Sequence, residues 1–438
     1  MSTGLEQQIR SVADAAFEQT SPVRYVPPVA ERHAARSVST RWWLTIAAGV
    51  LVLALVGGIV LIGGSDDAPV APVDSSPSTT SPATGTIEQT APDFSRQFSA
   101  RGVLTMVPLP GDEPVMGVRV GGADLAAIAA LTGVEPTGGD DAPSRDWLDV
   151  LFRRDSVFLL DSMLLVEALQ EPDGFEDEFG FSVLDVDRYV TATNYLGAAV
   201  DQLTFPFDAM VLGGDMAALT QRAGEDSIVD IGDAADGQAD ILDRSEFRPV
   251  GEPIRIGVDG SRSMVAVSKS TPFVTAWLDT DGPTMADVPD LAAAAAVLDR
   301  DDQLYTAQFD VFDRDVDLAP DLAGQQSAAD FPIVEPFTAM ALGSSGVDES
   351  HRTTIVYVFA DERAASASAA PIARLYAPDT EITAIELDDI ETVGDVFILD
   401  EVTVVGRSVA VAGGAGDGGP NDIRRALLAT FGPFIGHR

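Results

Sequence analysis

The chain has 438 residues, with 69 acidic against 27 basic side chains, a formal net charge of −42 and no cysteine. That composition excludes a disulfide framework, a thiol nucleophile and a lipid-modified cysteine anchor. So dense a negative charge also repels nucleic acid and anionic headgroups, and attracts cations or a basic partner.

The first 41 residues read as a cytoplasmic tail. Leu5, Ile9, Val12, Ala13, Ala16 and Phe17 share one helical face, and Pro22, Pro27 and Pro28 end that helix. An uncharged apolar stretch follows, and residues 42–64 are predicted to be a transmembrane helix, since about 20 apolar residues span a hydrocarbon core of ~30 Å. Arg24, Arg32, Arg36 and Arg41 precede it, while Asp66 and Asp67 follow. Positive charge stays inside, so the N-terminus is expected in the cytoplasm and the remainder outside, with Trp42 and Trp43 at the inner interface. The long n-region and h-region favour an uncleaved signal anchor over a cleaved signal peptide. The lipid bilayer is thus one expected partner, through residues 42–64. An envelope protein or ligand is the other.

Residues 65–92 are dominated by Pro, Ser, Thr and Ala and hold nothing bulky enough to nucleate a core. They are expected to form an extended linker. From residue 93 the pattern turns globular. Four times an apolar run leads into a helix with its own capping residue. The strand expected at Val115–Val120 leads through Gly121 and Gly122 to Asp124. The run AMVLGG leads to Asp215, MVAVSKS to Thr271 with Pro272 as first helical residue, and IVYVFA to Asp361. The first two align almost letter for letter, as an internal duplication would.

The hairpin-like runs around DGSRS and GDVFILDEVTVVGRSVAV favour an α+β fold over a parallel doubly wound sheet. The expected domain is α+β, of two lobes, with helices on one face of largely antiparallel sheets. Lobe 1 covers residues 93–318 and lobe 2 residues 337–438, divided by the proline-punctuated segment 319–336. A last helix is expected at Asp422–Phe431.

Chemistry-bearing motifs are sparse. Asp259, Ser261 and Ser263 spell D-x-S-x-S, which resembles the metal-adhesion motif of von Willebrand factor A-type domains, where one carboxylate and two hydroxyls hold a divalent cation. The same residues stand between two alternating runs, where Asp-Gly signals a two-residue hairpin, and the hairpin is the stronger reading. Asp313, Asp315 and Asp317 start like an EF-hand loop, but Leu318 and Gly324 break the pattern. A Ser-His-Asp triad outside the membrane would need His351 or His437, and no G-x-S-x-G accompanies them. Lys269, the single lysine, lies outside any S-x-x-K motif. Carboxylate runs such as Glu176-Asp177-Glu178 and Asp388-Asp389 are expected by chance in a chain this acidic. No catalytic residue, cofactor site or firm metal site is assigned.

The runs LEQQIRSVADAAF, RWWLTIAAGVLVLALVGG, EFGFSVLDVDRYVTA and IRIGVDGSRSMVAVSKSTPFVTAWLD resemble the single-pass, membrane-anchored extracytoplasmic proteins of actinobacteria and their relatives. That family has no established activity, so the resemblance implies an architecture and a location and no site residues. The expected function is a non-enzymatic binding or structural role at the cell envelope, with a carboxylate-based hydrolase or a divalent-cation-dependent adhesion module as the alternative.

Overall fold

The strand FDAMVL is buried at all six positions, and IRIGVD and MVAVS are buried at nearly every one. Strands apolar at both parities need cover on both faces of their sheet, and the fold supplies it. The computed structural model describes residues 93–416 except 110–117, 138–141, 153–161, 195–206, 237, 302, 312–334, 347–350 and 381–391. The tail, the apolar segment 42–64, the linker, Asp313–Asp317, His437 and the C-terminal helix expected at Asp422–Phe431 lie outside these residues. No helix among the described residues is long and apolar enough to cross a membrane.

In chain order the elements are α1 (Ala100–Thr105), β1 (Val118–Asp124), α2 (Leu125–Thr132), α3 (Arg145–Phe152), α4 (Met163–Ala168), α5 (Pro172–Phe179), β2 (Val186–Asn194), β3 (Phe207–Leu212), α6 (Ala217–Ala223), β4 (Ile228–Ile231) and β5 (Ile254–Asp259). There follow β6 (Met264–Ser268), α7 (Thr271–Leu278), α8 (Pro289–Leu298), β7 (Leu304–Val311), β8 (Phe337–Ser345), β9 (Arg352–Phe359), α9 (Glu362–Leu375), α10 (Val393–Val396), β10 (Phe397–Val405) and β11 (Ser408–Ala415).

The eleven strands among the described residues join one sheet in the order β10-β11-β9-β8-β7-β1-β2-β3-β6-β5-β4, and every neighbouring pair is antiparallel. The domain is therefore α+β on a large antiparallel sheet. Residues 319–334 of the expected boundary lie outside the described residues; on either side of it β7 and β8 pair from Leu304↔Ser345 to Val311↔Ala339.

The expectation of helices on one face is corrected. One face buries Val120, Ala209, Ala266, Phe309, Ala341 and Val356 under α1, α7 and α8. The other carries two apolar clusters. Tyr189, Met210, Ile256 and Val265 pack under α2 to α6, and Ile355, Tyr357 and Val409 under α9 and α10. The physical reason is the lack of alternation in the strands: a sheet with one wet face would show polar residues at every second position.

Each of the four strand-to-helix units expected from sequence forms, as β1–α2, β3–α6, β6–α7 and β9–α9. Asp124 and Asp361 cap their helices, accepting from the amides of Ala127 and Ala364 at 2.8 Å each. Two caps shift. Ser270 precedes α7, leaving Thr271 as its first residue and Pro272 as its second. Met216 precedes α6, with Asp215 accepting from Ala217 one residue further out.

Candidate functional site

An apolar pocket opens where α2, α3 and α4 lean on the first residues of β2. Its walls are Leu125, Ala126, Pro136, Trp147, Leu151, Leu165, Leu169, Val183, Leu184 and Val186, and its one charged lining residue is Asp187. The cavity measures about 50 Å³. An engineered cavity of about 150 Å³ holds benzene, so this one, about a third of that, has room for a methyl- to ethyl-sized group only.

Local sequence explains each wall. In α3, RDWLDVLF turns Trp147 and Leu151 inward four residues apart, one helical face. Ser162 begins α4, accepting from the amide of Leu165 at 3.2 Å while its hydroxyl donates to Asp208 Oδ1 on β3 at 2.7 Å. That buried link fixes Leu165 and Leu169 over the sheet. Asp124 caps α2 and also accepts from Arg188 Nε at 2.7 Å, tying Leu125 and Ala126 to β2.

Asp187 owes its place to a β-bulge. Val186 pairs with Leu212 and Arg188 with Val211, so Asp187 is the extra residue on β2. A bulge re-aims the side chain it carries. Here it lays the carboxylate against Gly213, where a Cβ would stand 3.0 Å from Oδ1 and 3.1 Å from Oδ2. Glycine leaves that space open. Gly214 does the same for Asp185. Burial pushes the Asp187 carboxyl above its usual range, Arg188 opposes the shift, and Asp124 and Asp185 add to it. No hydrogen bond or ion pair engages Asp187 among the described residues. The arrangement is a small apolar slot with a partly desolvated carboxylate in its lining, suited to a short alkyl group that carries a positive charge.

Asp259, Ser261 and Ser263 lie elsewhere, at the tip of the β5–β6 hairpin. Asp259 pairs with Met264 and closes a four-residue loop rather than a two-residue turn, and Ser263 adopts φ 55°. Both carboxylate oxygens are engaged within the loop. Oδ1 accepts from the amide and hydroxyl of Ser261 at 3.0 and 2.7 Å, and Oδ2 from Arg262 Nε at 2.5 Å. Burial works against its charge, yet those hydrogen bonds hold the carboxyl below its usual range. No group of three potential metal ligands occurs among the described residues.

His351 is buried beside β9, and neither ring nitrogen has a hydrogen-bond partner among the described residues. No described serine or aspartate pairs with it. Lys269 pairs with Glu252 at 2.5 Å. Within the carboxylate run on α5, Glu178 accepts from Arg248 Nε at 2.8 Å and from Ser245 at 2.7 Å, a structural role.

No protein-family model matches the chain, and no curated protein is significantly similar to it. A solved structure of TP0453, in crystal form I, superposes on 75% of this chain and 97% of its own at 9% identity, with a TM-score of 0.34. That likeness is too distant to carry an argument about fold or role.

The residues of the pocket were missed from sequence. Asp187 sits in LDVDRY as one acid among many, and its only signal, an extra residue between two apolar positions of a strand, is visible once the partner strand is known.

Proposed function

We propose that the chain is a single-pass membrane protein of the cell envelope whose acidic domain, outside the cytoplasm, is a non-enzymatic binding module. In this reading residues 1–41 are cytoplasmic, 42–64 span the bilayer and 65–92 form a linker. The domain has two lobes sharing one sheet, each with its own apolar cluster on the face that carries the pocket. The partner presents a short alkyl group bearing a positive charge.

One observation carries the binding role: the bulged, partly desolvated carboxylate of Asp187 in the lining of an otherwise apolar pocket. Apolar walls with one convergent polar group and a perturbed carboxyl are the usual signature of a binding site. The uncharged run flanked by arginines supports the membrane reading.

Ethylamine is the simplest probe, with propionate as its anionic counterpart. Titrated against the full chain in nanodiscs and followed at the Trp147 indole by NMR, the amine is expected to bind in the range of tens of millimolar, about −2.5 kcal/mol. The acid is expected not to bind. Equal binding of both, or of neither, overturns the pocket's role. A reporter fused after Arg438 tests the location separately, with signal expected only outside the cytoplasm.

A further inference from the structure

The connection between β4 and β5 is held as a rigid frame. Two buried arginines pin it. Arg255 donates to the carbonyls of Ala234 at 2.7 Å and Gly232 at 3.3 Å, and pairs with Asp236 at 3.2 Å. Arg248 pairs with Glu178 at 2.8 Å and Asp243 at 3.1 Å. Phe247 drives the same segment into the core, meeting Phe175 and Phe179 edge-on at 5.5 and 5.7 Å. The loop closes at its base, where the amide of Asp240 donates to the carbonyl of Gly251 at 3.0 Å.

On this frame stands a turn of unusual composition. The amide of Asp243 donates to the carbonyl of Asp240 at 2.9 Å, and the amide of Leu242 donates to Asp240 Oδ1 at 3.0 Å. Ile241 and Leu242 therefore occupy the two corner positions. Corners favour Gly, Asn, Asp or Pro, for their backbone and their local hydrogen bonds. Two large aliphatic residues gain nothing there, and they remain 67% and 93% exposed. Val250, near the base, is 48% exposed. The segment already buries its own anchor, Phe247, so the aliphatic pair is held outward by the frame and has no place in the core.

We propose that the Ile241–Leu242 turn is a docking plug that inserts into an apolar cleft, rimmed by lysine or arginine, on a partner protein. Rigid, exposed aliphatic residues lose little freedom on burial, the property of a pre-organised hot spot. The charge pattern specifies the rim. Asp233, Asp240 and Glu246 are exposed in the same connection, against one exposed base, Arg244, and complementarity asks for positive charge opposite. The same acidity, −42 over the chain, disfavours a second copy or an anionic lipid surface as the occupant. None of these residues lines the pocket at Asp187, so this surface stands or falls independently of the binding role proposed for that pocket.

The test is site-specific photocrosslinking of the full chain in the cells that make it. A benzophenone amino acid replaces Leu242, with the exposed Glu225 as the control position. One discrete crosslinked protein is expected from position 242 and none from 225. The mapped crosslink should fall among apolar residues with Lys or Arg beside them. Ile241→Ser in the same chain is expected to lower the yield about tenfold, and raising salt from about 0.05 to about 0.5 M to lower it several-fold. The melting temperature of Ile241→Ser should match the unsubstituted chain, which separates lost docking from lost folding. Crosslinks to lipid, to a second copy or to many proteins overturn the proposal. So does a yield indifferent to Ile241→Ser, or no crosslink at all.

Discussion

Asp124 and Arg188 face each other across β1 and β2, and the carboxylate of the first has two duties. Oδ1 accepts from the amide of Ala127 at 2.8 Å to cap α2, and Oδ2 accepts from Arg188 Nε at 2.7 Å. Arg188 in turn donates to the carbonyl of Ser95 at 3.1 Å, so the start of the domain, the central strand and a wall of the pocket share one junction.

Replacing Asp124 separates the two duties. Asp124→Asn keeps an oxygen for the cap and leaves Arg188 without its charge partner, whereas Asp124→Ala loses both. A lost cap costs about 1 kcal/mol, and a buried ion pair broken on one side about 3–5 kcal/mol. Urea unfolding should therefore rank the unsubstituted chain above Asn and Asn above Ala. Equal stability of all three would show the junction to be unimportant.

His351 makes acid stability measurable at one residue. Burial lowers its pKa to about 4, against 6.5 for an exposed imidazole. Above pH 6.5 neither folded nor unfolded state takes the proton, and the native state keeps its full stability. Below that, the unfolded chain binds a proton that the native ring refuses, so stability falls as pH drops from about 6.5 to about 4, by about 3 kcal/mol in all. His351→Leu abolishes no hydrogen bond to a described residue, since neither ring nitrogen has a partner among them. The difference in unfolding free energy between the two chains should be flat above pH 7 and shift in favour of the leucine variant towards pH 4. A difference independent of pH would contradict the buried neutral ring.

In the proposed role Asp187 would hold a cation only while ionised, and its carboxyl is pushed above the usual range. Ethylamine affinity should therefore fail at a higher pH than an ordinary aspartate would allow as the solution is acidified. Asp187→Asn should remove both the affinity and its pH dependence. NMR titration at several pH values between about 4 and 7 reads both effects.

Gly251 holds the base of the protruding turn at φ 71°, and a Cβ there would stand within bonding distance of the Asp240 carbonyl. The left-handed backbone alone costs a larger residue about 1–2 kcal/mol. Gly251→Ala should lower the unfolding free energy by more than that, and hydrogen exchange should quicken at Asp240 and Asp243 before it does in β5. Unchanged protection of those amides would mean that the frame does not depend on the close approach.

Much of this architecture could be read before any coordinates. Asp124 and Asp361 mark helix starts because a side-chain oxygen one residue ahead of an apolar helix has a backbone amide to satisfy. The hairpins at Asp259–Met264 and Val405–Ser408 announce themselves through polar, Gly-containing turns between apolar runs. What stayed hidden depends on distance along the chain. Arg119 and Asp310 form an ion pair at 2.6 Å in the middle of the sheet, yet neither neighbourhood names the other. Strand order is of the same kind, since β1 pairs with β7 through register that no local pattern contains. The helices on the second face were legible in retrospect from FDAMVL, a strand without alternation. The pocket was not, because its carboxylate is aimed by a bulge defined by two strands together.

The position of β1 has a consequence for how the protein is made. Among the described strands the first to leave the ribosome becomes the sixth of eleven, flanked by β2 on one side and β7 on the other. A growing polypeptide can zip β2 to β6 onto one flank while the opposite flank, from Val118 to Ala123, waits for residues 304–311. Throughout that interval a nascent half-sheet carries bare main-chain donors and acceptors along its innermost strand, the kind of template that recruits stray strands. Shielding that flank during translation, by chaperone or by speed, is a demand that the topology itself imposes on the cell.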